Sequence, residues 1–333
     1  MNLPQRINAF EKLGKLLEKN KDKLKQGVHN PWFTPDNIDY ALSEIASSLR
    51  KENLEKWTAM YPELQDKKDV KRVGVITAGN IPLVGFHDFL SVLISGNIFV
   101  GKLSSKDDKL MPAVIKMLID AEPEFENFIK ITEGKLEDFD AVIATGSNNS
   151  ARYFEYYFGK YPHIIRKNRN SAAVLTGNET DEDLQLLADD IFLYFGLGCR
   201  SVSKLFLPDG YELDNIFRNS LKHKNVINHN KYANNYDYNR AIYMMNKIEF
   251  KDNGIMLMKE DTGYASPVSV VYYEYYSNPE TVKKRLQTDN EMIQCIVSKE
   301  SFVEDTVNFG ESQKPRLWDY ADNVDTIKFL LGL

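Results

Sequence analysis

Residues 73–105, VGVITAGNIPLVGFHDFLSVLISGNIFVGKLSS, run from a short apolar strand through a turn and an apolar helix into a second apolar strand. Two strands joined through a helix must lie parallel, because the chain has to cross back before it can pair again. Continuously apolar strands of this length belong to a sheet covered on both faces, which makes the chain α/β. The rhythm continues in DKLMPAVIKMLID (108–120), a helix, and FDAVIATGSNNSARYFEYYFG (139–159), a third strand, a Gly-Ser turn and another helix. This is the spacing of a dinucleotide-binding sheet. Neither turn carries a standard phosphate fingerprint: TAGNIPLVG has no Lys-Ser/Thr after its glycine, and ATGSNNS lacks the second and third glycines of a Rossmann turn.

The pattern restarts at SAAVLTG (171–177), followed by a helix in DEDLQLLADDIFLYFG (181–196) and a strand in VSKLFLP (202–208). At the amino end, Ile7, Phe10, Leu13, Leu16 and Leu17 define one face of a surface helix running to about Gly27. A second helix starts at Thr34 as N-cap with Pro35 in its first turn. Residues 223–251 are rich in Asn and Tyr and hold a helix in NYDYNRAIYMMN, to which no chemistry is assigned. With 333 residues the chain has room for two domains, and no repeat or low-complexity linker separates them.

A formal charge of −6 gives no attraction to nucleic acid or to an anionic membrane surface. No apolar run reaches the length of a membrane helix. Only Cys199 and Cys295 are present, and the start MNLPQRINAFEKLGKLLEKN has no signal-peptide pattern, so a reducing cytoplasm with unpaired thiols is expected. The five histidines, at 29, 87, 163, 223 and 229, lack ligand spacing, and no metal is expected.

The two cysteines differ in context. Cys295 lies in NEMIQCIVSKE among alternating apolar residues, as a buried strand residue would. Cys199 lies in YFGLGCRSVSKLFLP, after Gly196 and Gly198 and before Arg200. A lone cysteine is commonly a small buried hydrophobe. Here glycines open space for a bulky reactant at the sulfur, and a neighbouring cation favours thiolate, as a nucleophile requires.

The blocks AGNIPL, SGNIFVGKLSS, ATGS, NSAAVLTG and GLGCRSVSKLFLP occur in the order of the corresponding blocks of aldehyde dehydrogenases. The chain resembles that superfamily, and within it the acyl-CoA reductases of the LuxC type, which reduce fatty acyl thioesters to aldehydes. The likeness extends from about Val70 onward, and FGESQKPRLWDYADNVDTIKFL is similar to the ending of a bacterial subgroup. The resemblance implies an aldehyde-dehydrogenase-like α/β fold with a Rossmann-type cofactor domain and an α/β catalytic domain. It implies that Cys199 is the nucleophile holding the acyl group, and that Asn80 shares an oxyanion hole with the Cys199 N–H. It also implies that Gly146 and Ser147 lie near the dinucleotide phosphates and that Lys102 reaches the adenosine ribose.

Three departures from the family pattern shape the expected chemistry. Aldehyde-oxidising members carry a glutamate that activates water, whereas this chain has Arg166, 33 residues before Cys199, and no acid between Tyr161 and Thr176. An acyl-enzyme lacking that base is protected from hydrolysis and open to coenzyme A or hydride. Ser105 replaces the glutamate that holds the ribose hydroxyls in NAD-preferring members, which favours NADPH, with NADH as the alternative. Gly263 falls where a glutamate binds the nicotinamide ribose, leaving only the displaced Glu260.

The expected organisation is a cofactor domain with its N-terminal helices over 1–170, a catalytic domain over 171–301 and a returning segment over 302–333. In that segment NVDTIKFLLGL alternates like a strand that would pair across a homodimer. The expected substrate is an acyl-CoA, with a fatty-acid-activating enzyme as a further partner. The competing functions are an acyl-phosphate reductase of the glutamyl-phosphate type, which needs a small polar pocket, and a noncatalytic partner of a fatty-acid-activating enzyme. A cysteine peptidase is remote, because neither His87 nor His163 has a protease context.

Overall fold

The computed structural model describes residues 1–65, 69–299 and 306–333. It divides into two compact units, one of residues 1–168 with 316–333 and one of residues 169–315.

The first unit opens with helices. In α1 (Leu3–Lys19) Asn2 and Gln5 form a reciprocal capping box, and Ile7, Phe10, Leu13 and Leu17 are buried. The helix expected to reach Gly27 stops at Lys19 and is followed by the single turn α2 (Lys21–Leu24). α3 (Pro35–Ser48) starts where the sequence signals it, with the Thr34 hydroxyl accepting the Asn37 amide at 3.3 Å, and α4 (Lys51–Ala59) follows.

The chain then alternates: β1 (Arg72–Ile76), α5 (Phe86–Ile94), β2 (Ile98–Lys102), α6 (Leu110–Ala121), β3 (Ile129–Ile131), β4 (Ala141–Thr145), α7 (Asn148–Phe158) and β5 (His163–Arg166). The strands form one parallel sheet in the order β3-β2-β1-β4-β5. β3 and β5 were not anticipated. Both are short, and both are edge strands of this sheet. The chain leaves β1 toward β2 on one side and β4 toward β5 on the other. A crevice at the carboxyl ends of β1 and β4 is the topological switch point of such a sheet.

The second unit holds β6 (Asn170–Val174), α8 (Asp181–Phe192), β7 (Val202–Pro208), α9 (Leu213–Ser220), α10 (Asn230–Met245), β8 (Lys251–Asp252), β9 (Leu257–Glu260), β10 (Val270–Tyr276), α11 (Pro279–Thr288), β11 (Ile293–Val297) and β12 (Thr306–Val307). The sheet order is β12-β11-β6-β7-β10-β9-β8, parallel except for the β8–β9 pair. Lys204 on β7 is wholly buried. Its ammonium meets Glu274 at 2.5 Å, and Glu274 is also held by both oxygens on Arg285 at 2.7 and 2.8 Å. Burial draws the Lys204 ammonium below its ordinary range.

Residues 316–333 return to the first unit and end in α12 (Thr326–Leu331). This corrects the expected terminal strand, and with it the pairing-strand basis for a homodimer. Residues 302–305 of the expected segment lie outside the described residues. Ile327 and Leu330, both fully buried, are three residues apart, a spacing that shares one face of a helix but opposite faces of a strand. The cap agrees: the Asp325 carboxylate accepts the Lys328 amide at 2.8 Å. The returning segment is tied down by polar contacts, with Trp57 Nε1 donating to the Tyr320 hydroxyl at 2.7 Å and Tyr61 donating to Asp325 at 2.8 Å.

Candidate active site

Asn80, Lys102, Ser105, Gly146 and Ser147 all lie at the carboxyl edge of the first sheet. Asn80 is half-buried in the loop that follows β1, Lys102 closes β2, and Ser105 is exposed just after it. The loops after β1 and β2 are sewn together. The Ser104 amide donates to the Thr77 hydroxyl at 3.1 Å, and a Cβ placed on Gly79 would stand 2.8 Å from the Lys106 Cβ, too close for any side chain there. Asp107 completes the seam: one carboxylate oxygen accepts the Leu83 amide at 3.2 Å and the other accepts the Met111 amide at 3.1 Å. Burial raises its pKa despite these donors. Nothing in the sequence reading singled out Asp107, although an acid just ahead of a helix is an available signal.

Gly146 ends β4 at a point where a Cβ would stand 2.8 Å from the Ser150 Cβ and 2.9 Å from the Phe154 ring. The missing side chain lets α7 start directly beside the strand. Ser147 caps that helix, its exposed hydroxyl accepting the Ser150 amide at 3.2 Å. The edge therefore combines two glycines with no room for a side chain, the amino end of an eleven-residue helix, and the exposed Ser105 and partly exposed Lys102. These features suit a dinucleotide, whose phosphates need close backbone approach and N–H donors.

In the second unit α8 stops at Phe192, before either glycine of the cysteine loop. Tyr194, Phe195 and Gly196 then take left-handed φ values of 55°, 58° and 72° in succession. Glycine tolerates this freely, whereas each aromatic residue is disfavoured there by about 1–2 kcal/mol, a local strain held by the surrounding packing. The chain next closes a tight turn, Ser201 N–H to the Gly198 carbonyl at 3.0 Å, with Cys199 exposed on it. The buried Ser171 hydroxyl donates to the Cys199 carbonyl at 2.9 Å and accepts the Cys295 amide at 3.2 Å. Cys295 is buried on β11, and burial pushes its thiol pKa up, only partly offset by the charge of Arg200. Neither cysteine is disulfide-bonded.

The segment from Phe192 to Val202 also borders a small cavity of about 30 Å³, lined by Ile191, Phe195, Val202, Met256 and Val271 among others. The polar side chains in its wall turn their hydroxyls to main-chain carbonyls: Ser203 to Tyr264 at 2.7 Å, Ser266 to Val270 at 2.6 Å, Ser269 to Val268, and Tyr232 to Ile255 at 2.8 Å. The wall therefore mixes apolar side chains with polar groups.

Arg166, at the end of β5, is buried in the first unit. Its guanidinium meets Asp88 of α5 at 2.5 Å and donates to the Thr326 hydroxyl at 3.1 Å. Around Gly263, the Asp261 carboxylate is engaged by the Lys259 ammonium at 2.5 Å and the Gly263 amide at 2.8 Å, while Glu260 is exposed.

A family model described as acyl-CoA reductase (LuxC) matches residues 5–264. The chain belongs to this family. It is accordingly an acyl-CoA reductase family enzyme, and the match begins well before Val70, taking in the helices whose apolar faces build the first unit's core. The subgroup-like ending lies beyond the matched residues. Among solved structures, the LuxC-family chain is similar to aldehyde dehydrogenase 21 from Physcomitrella patens in complex with succinate, at 14% identity and a TM-score of 0.75 over 100% of this chain and 84% of that one. It is similar to an NAD-dependent benzaldehyde dehydrogenase from Corynebacterium glutamicum, at 13% identity and a TM-score of 0.68 over 92% and 80% of the two chains. A putative methylmalonate-semialdehyde dehydrogenase from Sinorhizobium meliloti, complexed with NAD, matches at 15% identity and a TM-score of 0.66 over 90% and 72%. These likenesses give the aldehyde dehydrogenase fold. No curated protein matches the sequence. Among the described residues, no helix of this LuxC-family chain is long and apolar enough to cross a membrane, and no group of three or more His, Cys, Asp or Glu side chains could hold a metal ion.

Proposed function

We propose that the chain reduces an acyl-CoA thioester to the aldehyde through an acyl group carried on Cys199, with NADPH as the preferred reductant. The contrast between its two thiols carries this: Cys199 is exposed on a tight turn fixed by Ser171, while Cys295 is buried with a raised pKa. The Cys199 thiolate attacks the thioester carbonyl, and the tetrahedral oxyanion is stabilised by the Cys199 N–H and the Asn80 amide. Collapse forms the Cys199 thioester and expels the coenzyme A thiolate, which takes a proton. When bound, the dinucleotide supplies the hydride that turns this thioester into an aldehyde, and the Cys199 thiolate is released. Gly79, Gly146 and Ser147 hold the phosphates, and Lys102 and Ser105 face the adenosine ribose.

Reduction rather than hydrolysis is supported at position 166. Where an oxidising relative would carry a water-activating carboxylate, this chain has a cation locked in a buried pair with Asp88. Breaking such a pair leaves an uncompensated charge, so Arg166 does not swing out to serve another role.

Intact-mass spectrometry with acyl-CoAs of graded length, in the absence of cofactor, tests the proposal. One acyl adduct per chain is expected, absent in Cys199→Ala. Adducts from a polar acyl phosphate alone would move the assignment to the glutamyl-phosphate type, and no adduct from any donor would overturn it.

A further inference from the structure

The helix before the nucleophile carries a carboxylate that the proposed reaction does not use. Asp190, on the last turn of α8, is 1% exposed. Its Oδ2 accepts the Gly310 amide at 2.7 Å and its Oδ1 accepts the Ser312 amide at 3.0 Å. Gly310 has φ 78°, a left-handed conformation that suits glycine and shapes this bend, where a Cβ would stand 2.8 Å from Leu186. The bend delivers Gln313, itself buried, against the cysteine turn. Gln313 Nε2 donates to the Ser201 hydroxyl at 3.1 Å, and its amide lies 3.6 Å from where a Cβ on Gly198 would stand. Gln313 thus bonds the last residue of the four-residue turn that presents Cys199 and lies alongside the first, while Ser171 holds the Cys199 carbonyl.

We infer that Asp190 and Gln313 are positioning residues that fix the Cys199 turn, Asp190 acting through the Gly310–Ser312 bend and Gln313 by direct contact. The inference rests on Cys199 as the nucleophile of the proposed reaction. An ionised carboxylate with both oxygens on main-chain N–H groups is an unfavourable thing to bury, and it fixes the register of the segment it grips. A protonated Asp190 would turn one oxygen into a donor and release one of the two amides.

The test compares wild type with Gln313→Ala and Asp190→Asn, each on a Cys295→Ala background so that one thiol remains. Hydrogen exchange by mass spectrometry over residues 198–201 reads the turn without substrate. The ratio of Cys199 acylation by an acyl-CoA to its alkylation by iodoacetamide reads orientation, since the small alkylating agent responds to thiolate but scarcely to geometry. Both variants are expected to exchange about tenfold faster at the turn and to lose about tenfold in the ratio, with the affinity for NADPH kept. In wild type the ratio should also fall as pH drops through about 6, to which burial raises Asp190, and it should stay flat in Asp190→Asn. The ionisable groups acting near Asp190 are Asp189, which is paired with Lys222 and His223, and, through Cys295, Arg200; the Cys295→Ala background removes the thiol. Unchanged exchange overturns the inference, and so does faster exchange with an unchanged ratio, which would make the latch purely structural. If wild type is alkylated at Cys199 but acylated by no acyl-CoA, the proposed reaction fails, and the positioning of this nucleophile falls with it, even if the exchange result stands.

Discussion

The Ser171 hydroxyl, wholly buried on β6, donates to the carbonyl of Cys199 at 2.9 Å while accepting the amide of Cys295. One side chain therefore sets the backbone of the exposed thiol relative to the strand that carries the buried one. Replacing Ser171 with alanine should cost about 1–3 kcal/mol, because both main-chain groups lose their partner inside the protein. Chemical denaturation measures that loss, and single-turnover acylation should slow with it. A variant of full stability and full acylation rate would remove Ser171 from the site.

The two thiols should respond oppositely to removal. Cys199→Ala is expected to abolish aldehyde formation and leave dinucleotide binding intact, whereas Cys295→Ala should keep most of its activity. Paired turnover and cofactor-binding assays check this, and equal losses would contradict the assignment.

Asn80→Ala should lower turnover by on the order of a hundredfold, the usual loss when one oxyanion donor is removed. The melting temperature should barely move. An unaffected rate would leave Asn80 as a turn residue of the loop after β1.

Ser105→Glu tests the cofactor by charge. A carboxylate about 4 Å from a 2′-phosphate opposes it by roughly 1–4 kcal/mol depending on solvent. NADPH should weaken about tenfold or more while NADH holds or improves. The penalty should shrink at high salt, since exposed charges are screened within about 8–10 Å. Equal loss of both cofactors, measured by titration, would take Ser105 away from the ribose.

Asp190 gives a pH dependence of stability with a defined sign. Burial raises its pKa from 3.8 to about 6, outweighing the main-chain and Ser312 hydrogen bonds. An acid whose folded pKa is raised is least costly when protonated in both states, below about pH 4, and becomes fully costly as pH rises through about 6. Relative to Asp190→Asn, wild type should therefore gain up to about 3 kcal/mol as pH falls from 7 to 4. Urea midpoints at several pH values measure the difference, and a flat profile would mean that the carboxyl does not titrate in this range.

Much of the architecture was legible because its signals are local. The apolar runs at 73–76 and 141–145, the Thr34-Pro35 start and the glycines around Cys199 each act within a few residues. The edge strands β3 and β5 escaped, since three or four residues with mixed burial carry little periodicity. The terminal strand was misread for a related reason: six residues are too few for the helical spacing of Ile327 and Leu330 to stand out until the Asp325 cap is seen. At the site, the cysteine's access could be read from its glycines, and the missing acid at 166 from the resemblance to aldehyde dehydrogenases. Ser171, Asp190 and Gln313 could not, because their partners lie far along the chain and a buried serine or aspartate looks like any other until the fold brings its acceptors and donors together.

The return of residues 316–333 to the first unit has a consequence for the order of events during synthesis. Residues 169–315 are contiguous and can close their own sheet as soon as they emerge. The first unit is made earlier but stays open: Trp57, Tyr61 and Arg166 wait for Tyr320, Asp325 and Thr326, and the core position of Leu330 is filled last. Domains that emerge first usually fold first. In this chain the later-made half can mature ahead of the earlier one, and the apolar surface around Trp57 is what a nascent-chain chaperone would meet in the interval.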